Sequence, residues 1–415
     1  MNAFFCCQKI RSVSKMGANV HVFIFRRDLR THDNLGWIEA VQRLPTGHTL
    51  RPVFALCAEQ ADPKLNPVFN KHSVEFMMAA LQDLRSSLQK QYNLELRVIH
   101  GFDELDAVKR SMPLTRIASV AFNGDVTQYA RKRDDAMLSY CKIELGGVPC
   151  YINTSDYVLS PLIARPYRVF SPFFRYATSS FAVPDPITCT VANNPSSISV
   201  ATIPRSKRED ALAVLRNIKM GAFDGYAGTR NLITMPDGTT HLSTYIKFGV
   251  ISIREAYHAM KHVPDLLRQL YWRAFYDQLT WHFPEMVNTA TDHRKWTATR
   301  AQVEAWKRGE TGVPLVDAGM RELATTGRMH NRIRMVCASY LIWDMNADWR
   351  EGERHFARYL EDYHPSANAG NWLWIARQPP FRVMSPDAQA TKYDRQGDYV
   401  RAWITSVVRY QSTDH

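Results

Sequence analysis

PDPITCTVANNPSSISVATIPRSKRED, residues 184–210, is where the chain changes character. The stretch is rich in Pro, Ser and Asn, and its apolar residues recur at no helical or strand period. It reads as a connection between domains. Before it, HVFIF (21–25), RPVFAL (51–56), LELRVIHG (94–101) and IASVAFN (117–123) are short apolar runs of strand length, and VPCYINT (148–154) is a fifth. Between them, NKHSVEFMMAALQDLRSSLQKQY (70–92) and the residues after Gly124 carry helical spacing. Such alternation implies a doubly wound parallel sheet covered by helices. After the connection, strand signals almost vanish. Long amphipathic stretches follow, such as DLLRQLYWRAFYDQLTWHF (265–283) and HNRIRMVCASYLIWDM (330–345), and they imply an all-α second domain. The expected layout is an α/β domain over 19–155, a linker over 156–210 and a helical domain over 211–415.

Charge and cysteine usage narrow the partners. Lys plus Arg exceed Asp plus Glu by 52 − 40 = 12. A basic surface favours a polyanion, because neutralised phosphates release their counterions. The seven cysteines are scattered, with no CxxC pair and no zinc spacing, so a disulfide framework and a metal site are not expected. No apolar run reaches the length of a membrane span, and a membrane partner is not expected. Residues 1–18 are basic and free of acid; they read as a tail, with an organelle-targeting segment as the other reading.

Nine of the ten tryptophans follow residue 270. Core packing explains any one of them. On the stretch around Trp272, however, Gln269, Trp272, Arg273 and Tyr276 fall at i, i+3, i+4 and i+7 and share a face. An amide, an indole, a guanidinium and a phenol suit a site better than a core. Asn331 and Met335 lie one turn apart, as do Asn368 and Trp372. In GTRNLITMPDGTTHLSTY (228–245), Thr239, Thr240 and Ser243 could present hydroxyls and backbone N–H groups to a phosphate; a turn with a helix cap is the plainer reading.

Seven motifs together carry a family resemblance. FIFRRDLRTHDN (23–34), FNGDVTQYARKRD (122–134), YRVFSPF (167–173), TGRMHNRIRM (326–335), DWREGERHFARYL (348–360), NAGNWLW (368–374) and KYDRQGDYVRAW (392–403) resemble the photolyase/cryptochrome family from about residue 20 onward. The resemblance implies an α/β domain followed by a helical domain that holds FAD. It implies that Tyr226, Arg230, Thr239, Thr240, Leu242, Ser243 and Arg273 serve that cofactor. Arg334 and Asp362 would pair beside the flavin, and Asn368 would face its N5 edge. Gln269, Trp272, Asn331, Arg332, Met335 and Trp374 would receive the lesion and its DNA. Trp372, Trp349 and Trp296 would pass electrons from the surface to the flavin. The implied chemistry is light-driven repair of damaged DNA by a monomer, with the lesion flipped from the duplex.

The pocket residues point within the family. Members that repair (6-4) photoproducts carry His where Asn331 and Met335 stand, so this pair resembles that of enzymes for cyclobutane pyrimidine dimers. Those enzymes usually carry Glu at Gln269, which implies a weaker or slower enzyme, with a blue-light receptor or a (6-4) photoproduct enzyme as the alternatives. Arg328, His364 and the short loop 377–386 also depart from the family pattern. A folate-binding Glu expected near Ala130 is absent, and the second, antenna chromophore stays unassigned. The chain stops soon after its last motif, which favours repair over signalling.

Overall fold

The computed structural model describes residues 19–112, 116–157, 159–161, 163, 165–187, 207–235, 238–285, 294–377 and 383–410, the last six of these as backbone. Five strands form one parallel sheet: β1 (Val20–Phe25), β2 (Thr49–Cys57), β3 (Arg97–Gly101), β4 (Ile117–Asn123) and β5 (Cys150–Asn153), in the order β3-β2-β1-β4-β5. Each strand sits where its apolar run predicts. Strand residues bury both faces, as a doubly wound sheet requires. Val22 and Ile24 of β1 join a core with Ile99, Val120 and Met137, whereas Phe23 and Phe25 face the other way against Trp37, Leu84 and Leu88. The helix Lys71–Tyr92 is started by Asn70, whose side chain accepts from Ser73 N, and ended by Asn93 in the left-handed conformation.

The chain reverses its winding between β1 and β4, so their carboxyl ends open a crevice. The loop that leaves β1, RRDLRTHDN (26–34), fills this junction and reaches the helical half. Leu29 N donates to Phe248 O at 2.9 Å, and Arg30 Nη1 donates to Gly249 O at 3.1 Å. Gly249 has φ +61°, and a Cβ there would come within 2.3 Å of Arg27 O, so only glycine permits this approach. Asp33 accepts from Arg254 Nε at 3.0 Å and from the Ser252 hydroxyl, with its side chain 1% exposed and that of Arg254 4%. Arg30 is paired with both oxygens of Asp156 at 2.8 Å.

The segment 156–210, read as a linker, differs from that expectation. It contains the helix Phe170–Ser180, which packs on the helix Pro264–His282 through Phe170, Phe173 and Phe275. Phe170, Phe173, Phe174 and Ala177 recur at helical spacing, and burying that face outweighs the turn-forming composition around it. The rest of the linker reading, residues 188–206, and the tail 1–18 lie outside the described residues. Among the described residues, no helix is long and apolar enough to cross a membrane, and no cluster of His, Cys, Asp and Glu could hold a metal ion.

Breaking the junction is costly because a buried charge is left behind. Asp33→Ala should lower the unfolding free energy by about 3–5 kcal/mol, since Arg254 would stay buried and unpaired. Guanidinium denaturation of wild type and variant measures this. A loss within about 0.5 kcal/mol, typical of surface sites, would show that the pair does not hold the two halves.

Candidate functional site

Four helices of the second half surround a cavity of about 600 Å³. They are Pro264–His282, Asn331–Ser339, Trp349–Tyr359 and Pro365–Ala376. Proline stands in the first turn of two of them, where its missing N–H costs nothing. His330 caps a third, accepting from Arg332 N through Nδ1 at 3.1 Å. These local signals place Gln269, Trp272, Arg273 and Tyr276 on one wall, and Asn331, Arg334 and Met335 on another. Asn368, Trp372 and Trp374 come from the last helix, and Asp362 from the turn before it. Tyr226, Arg230, Thr239, Thr240, Leu242 and Ser243 close the remaining side.

The polar groups are already oriented. Arg334 Nη2 donates to Asp362 Oδ2 at 3.1 Å. Burial pushes the Asp362 carboxyl up, but the charge and hydrogen bond of Arg334, with help from Ser243 and Lys247, hold it below its ordinary value. Arg230 pairs with Asp265 at 3.0 Å. Asn368 donates through Nδ2 to the Glu353 carboxylate at 2.9 Å and to its carbonyl at 3.1 Å, which leaves the amide oxygen as its open acceptor. Gln269 Nε2 donates to Asp265 O at 3.0 Å. Asn331 Nδ2 lies 3.6 Å from Met335 Sδ at the rim.

Burial shifts several neighbouring groups toward their neutral forms. Asp277 is pushed up to about 6, Lys247 down to about 7 and Glu322 up to about 7, each mainly by desolvation. His364 falls well below its ordinary value for the same reason, its Nε2 3.5 Å from Asp277 Oδ1. Arginine does not neutralise in this way. Arg230, Arg273 and Arg334 therefore leave the cavity suited to an anion.

Two expectations meet a different geometry. Arg332 does not line the cavity; its Nη2 donates to Asn231 Oδ1 at 2.6 Å, and its guanidinium lies over Tyr393 at 4.8 Å. Trp272 lines the cavity, but Phe170 stacks on it at 3.5 Å and 5°, so one indole face is covered. Trp374 is 42% exposed. Of the three relay tryptophans, Trp372 borders the cavity; Trp349 and Trp296 stand behind it in one hydrophobic cluster. Glu353 and Glu322 were not singled out from sequence. Glu353 stands within DWREGERHFARYL, but its partner Asn368 lies fifteen residues on, beyond any helical period. Residues 378–382 of the short loop lie outside the described residues.

A second cavity, of about 840 Å³, opens at the carboxyl ends of β1, β2 and β4. Arg26, Cys57, Glu104, Asn123 and Asp125 line it, and it shares Arg273, Tyr363 and His364 with the first.

Comparisons with known proteins agree with this architecture. Residues 21–191 match the family described as DNA photolyase, and residues 266–414 match the FAD binding domain of DNA photolyase. A deoxyribodipyrimidine photo-lyase of Alkalihalophilus pseudofirmus is 30% identical over 92% of this chain and 86% of its own length. The archaeal photolyase of Sulfolobus tokodaii, solved with two FAD molecules, is 30% identical and superposes with a TM-score of 0.80 over 93% of this chain and 90% of that one. The Synechocystis cryptochrome shares the fold, with a TM-score of 0.81 at 22% identity over 95% and 90% of the two chains.

FAD fits the first cavity on its own chemistry. Four arginines, Arg230, Arg273, Arg328 and Arg334, and the hydroxyls of Thr239, Thr240 and Ser243 converge there, and His330 Nε2 is buried without a protein partner among the described residues. A doubly wound sheet joined through RRDLRTHDN to a helical FAD-binding domain, with these matches along both halves, makes this chain a member of the photolyase/cryptochrome family.

Proposed function

We propose that this chain repairs cyclobutane pyrimidine dimers in DNA, using light absorbed by FAD. The observation that carries the reading is the rim of the first cavity. Asn331 and Met335 share one helical face there, beside Gln269 and the exposed indole of Trp374. Neither rim position holds a histidine, so the site offers no acid–base pair there. Splitting a cyclobutane dimer needs an electron and its return, not a proton donor at the lesion.

When bound, reduced FAD supplies that electron under light. The chain's own residues bind and orient. Trp374 offers an indole face for stacking, worth roughly 1–3 kcal/mol per base. Asn331 offers both an amide donor and an amide acceptor to a pyrimidine edge. Asn368, its nitrogen anchored on Glu353, would offer its amide oxygen to the bound flavin. Arg334, neutralised in part by Asp362, balances charge on the reduced ring. Tyr226, Arg230, Thr239, Thr240, Leu242 and Ser243 hold the rest of the cofactor, and Arg273 adds positive charge. Arg332, outside the cavity, and the excess of basic residues would meet the DNA backbone. Trp372 at the cavity, Trp349 in the buried cluster behind it and the partly buried Trp296 form the route by which the cofactor would be reduced. The second cavity is a seat for a light-harvesting chromophore, in keeping with the two FAD molecules of the Sulfolobus relative.

A photoreceptor is the second reading, and Gln269 favours it. It supplies an amide in place of a carboxylate, and one of its two N–H donors is already committed to Asp265 O.

A repair assay separates the readings. Chemically reduced protein and blue light should remove a cyclobutane thymine dimer from an oligonucleotide and leave a (6-4) photoproduct untouched. Removal of the (6-4) lesion would overturn the assignment of Asn331 and Met335; repair of neither, with flavin bound, would move the chain to the photoreceptor class.

Asn331→Ala should weaken binding to dimer-containing DNA by about 1–3 kcal/mol, as for a lost partner of a buried polar group. Undamaged DNA should be bound as before. Equal losses in a filter-binding titration would deny it a role at the lesion. Arg334→Met, which removes the arginine that pairs with Asp362, should weaken flavin binding by about 1.5–3 kcal/mol, the scale of a hydrogen bond between charged groups. The flavin-to-protein absorbance ratio after gel filtration reports this, and an unchanged ratio would place the ion pair outside the cofactor's shell.

A further inference from the structure

We propose that a second electron route runs from Trp372 to the protein surface, through Trp306 and past His355 to Tyr359. It rests on the reading of the chain as a light-driven FAD enzyme and adds residues that the three-tryptophan route does not use.

The geometry is a continuous line of rings. Trp306 meets Trp372 edge-on, with centroids 6.2 Å apart and planes at 76°. That spacing is an ordinary aromatic contact. Phe356 braces the pair, stacked on Trp306 at 6.2 Å and edge-on to Trp372 at 5.0 Å. Trp372 itself lies against Gly352, where a Cβ would come within 2.1 Å of its ring, so the helix Trp349–Tyr359 approaches as closely as a backbone can. From Trp306 the line continues to His355 at 5.7 Å, and from His355 to Tyr359 at 4.8 Å. His355 and Tyr359 are one turn apart on the same helix. Trp306 is fully buried, whereas Tyr359 is only partly so and gives the line an end at the surface.

The chemistry follows from what each ring can do with a proton. Trp372, after giving an electron to the photo-excited cofactor, is refilled by Trp306. The Trp306 Nε1–H donates to Cys337 O at 3.2 Å. A carbonyl does not take the proton, so the Trp306 radical cation keeps it and remains a strong oxidant. His355 is harder to oxidise than an indole or a phenol. It stays neutral, because burial and then the nearby charges of Lys307 and Arg358 push it down to about 4. It bridges the gap without holding the radical. Tyr359 then gives up one electron to Trp306 and its phenol proton to water, and becomes a neutral tyrosyl radical. A soluble thiol returns a hydrogen atom to Tyr359, and two thiyl radicals pair as a disulfide. One electron has then moved from thiol to cofactor, and one proton has reached water.

The test uses the FAD-loaded, oxidised full chain, illuminated with blue light and freeze-quenched for electron paramagnetic resonance. Protein grown with ring-deuterated tyrosine identifies a tyrosyl signal by its narrowing. In Trp349→Phe, which interrupts the first route, a tyrosyl radical should form. In Trp349→Phe/Tyr359→Phe that signal should be lost, and in Trp349→Phe/Trp306→Phe it should be lost as well. Flavin absorbance of each variant confirms an intact cavity. Absence of a tyrosyl signal in Trp349→Phe, or its survival without Tyr359, would overturn the second route. If the chemically reduced wild type still repairs the dimer, that failure belongs to the route alone. If it neither repairs nor forms any light-induced radical, the parent reading falls with it.

Discussion

The pairing of Asp33 with Arg254, flanked by Arg30 with Asp156, is the constraint on which the rest depends. Four charges are taken out of water at the junction of the two halves. Such burial is tolerated only when each charge is matched and its remaining hydrogen-bonding capacity is used. Most of it is used: Arg30 also serves the carbonyls of Asp33 and Gly249, leaving its Nε as the one buried donor of the four groups without a partner among the described residues, and Arg254 serves those of Asp33 and Ser155. The loop between β1 and the first helix is thereby fixed, and with it the angle at which the sheet meets the helices. Arg26 and Arg27, from the same loop, then line the second cavity.

That junction makes the two cavities neighbours. Arg273, Tyr363 and His364 stand in the wall between them. In such a wall burial pushes ionisable groups toward their neutral forms. Desolvation raises Asp277 and lowers His364 and Lys247. The guanidinium groups stay charged, so the first cavity is faced by arginine, with the Asp362 carboxylate that Arg334 keeps ionised and a Glu322 that burial pushes up to about 7. An anionic cofactor is the complement of that arrangement.

The aromatic cluster behind the first cavity serves packing and redox chemistry at once. Trp306 and Phe356 are buried core residues by any measure. The same contacts that close the core also put conjugated rings edge to edge, and they run from Trp372 outward. A core built from indoles and a phenol offers electrons a path wherever one of its ends reaches solvent.

The sequence by itself determined the elements and much of the first cavity. Period-two and period-3.6 patterns are local, so the five strands, the helix Lys71–Tyr92 and the shared face of Gln269, Trp272, Arg273 and Tyr276 were legible without a structure. The family motifs added which of those faces meet, and Arg334 and Asp362 do stand together. Tertiary structure alone decided the rest. Phe170 covers Trp272 from about a hundred residues away, inside a segment whose composition reads as linker. Glu353 anchors Asn368 from the preceding helix, Arg332 turns away to Asn231 and Tyr393, and Trp306 lies in ring contact with Trp372. Each of these is a contact between residues far apart in the chain. No period or spacing encodes such a contact, because it is selected only when whole elements pack and the unpaired polar groups and rings find partners in space.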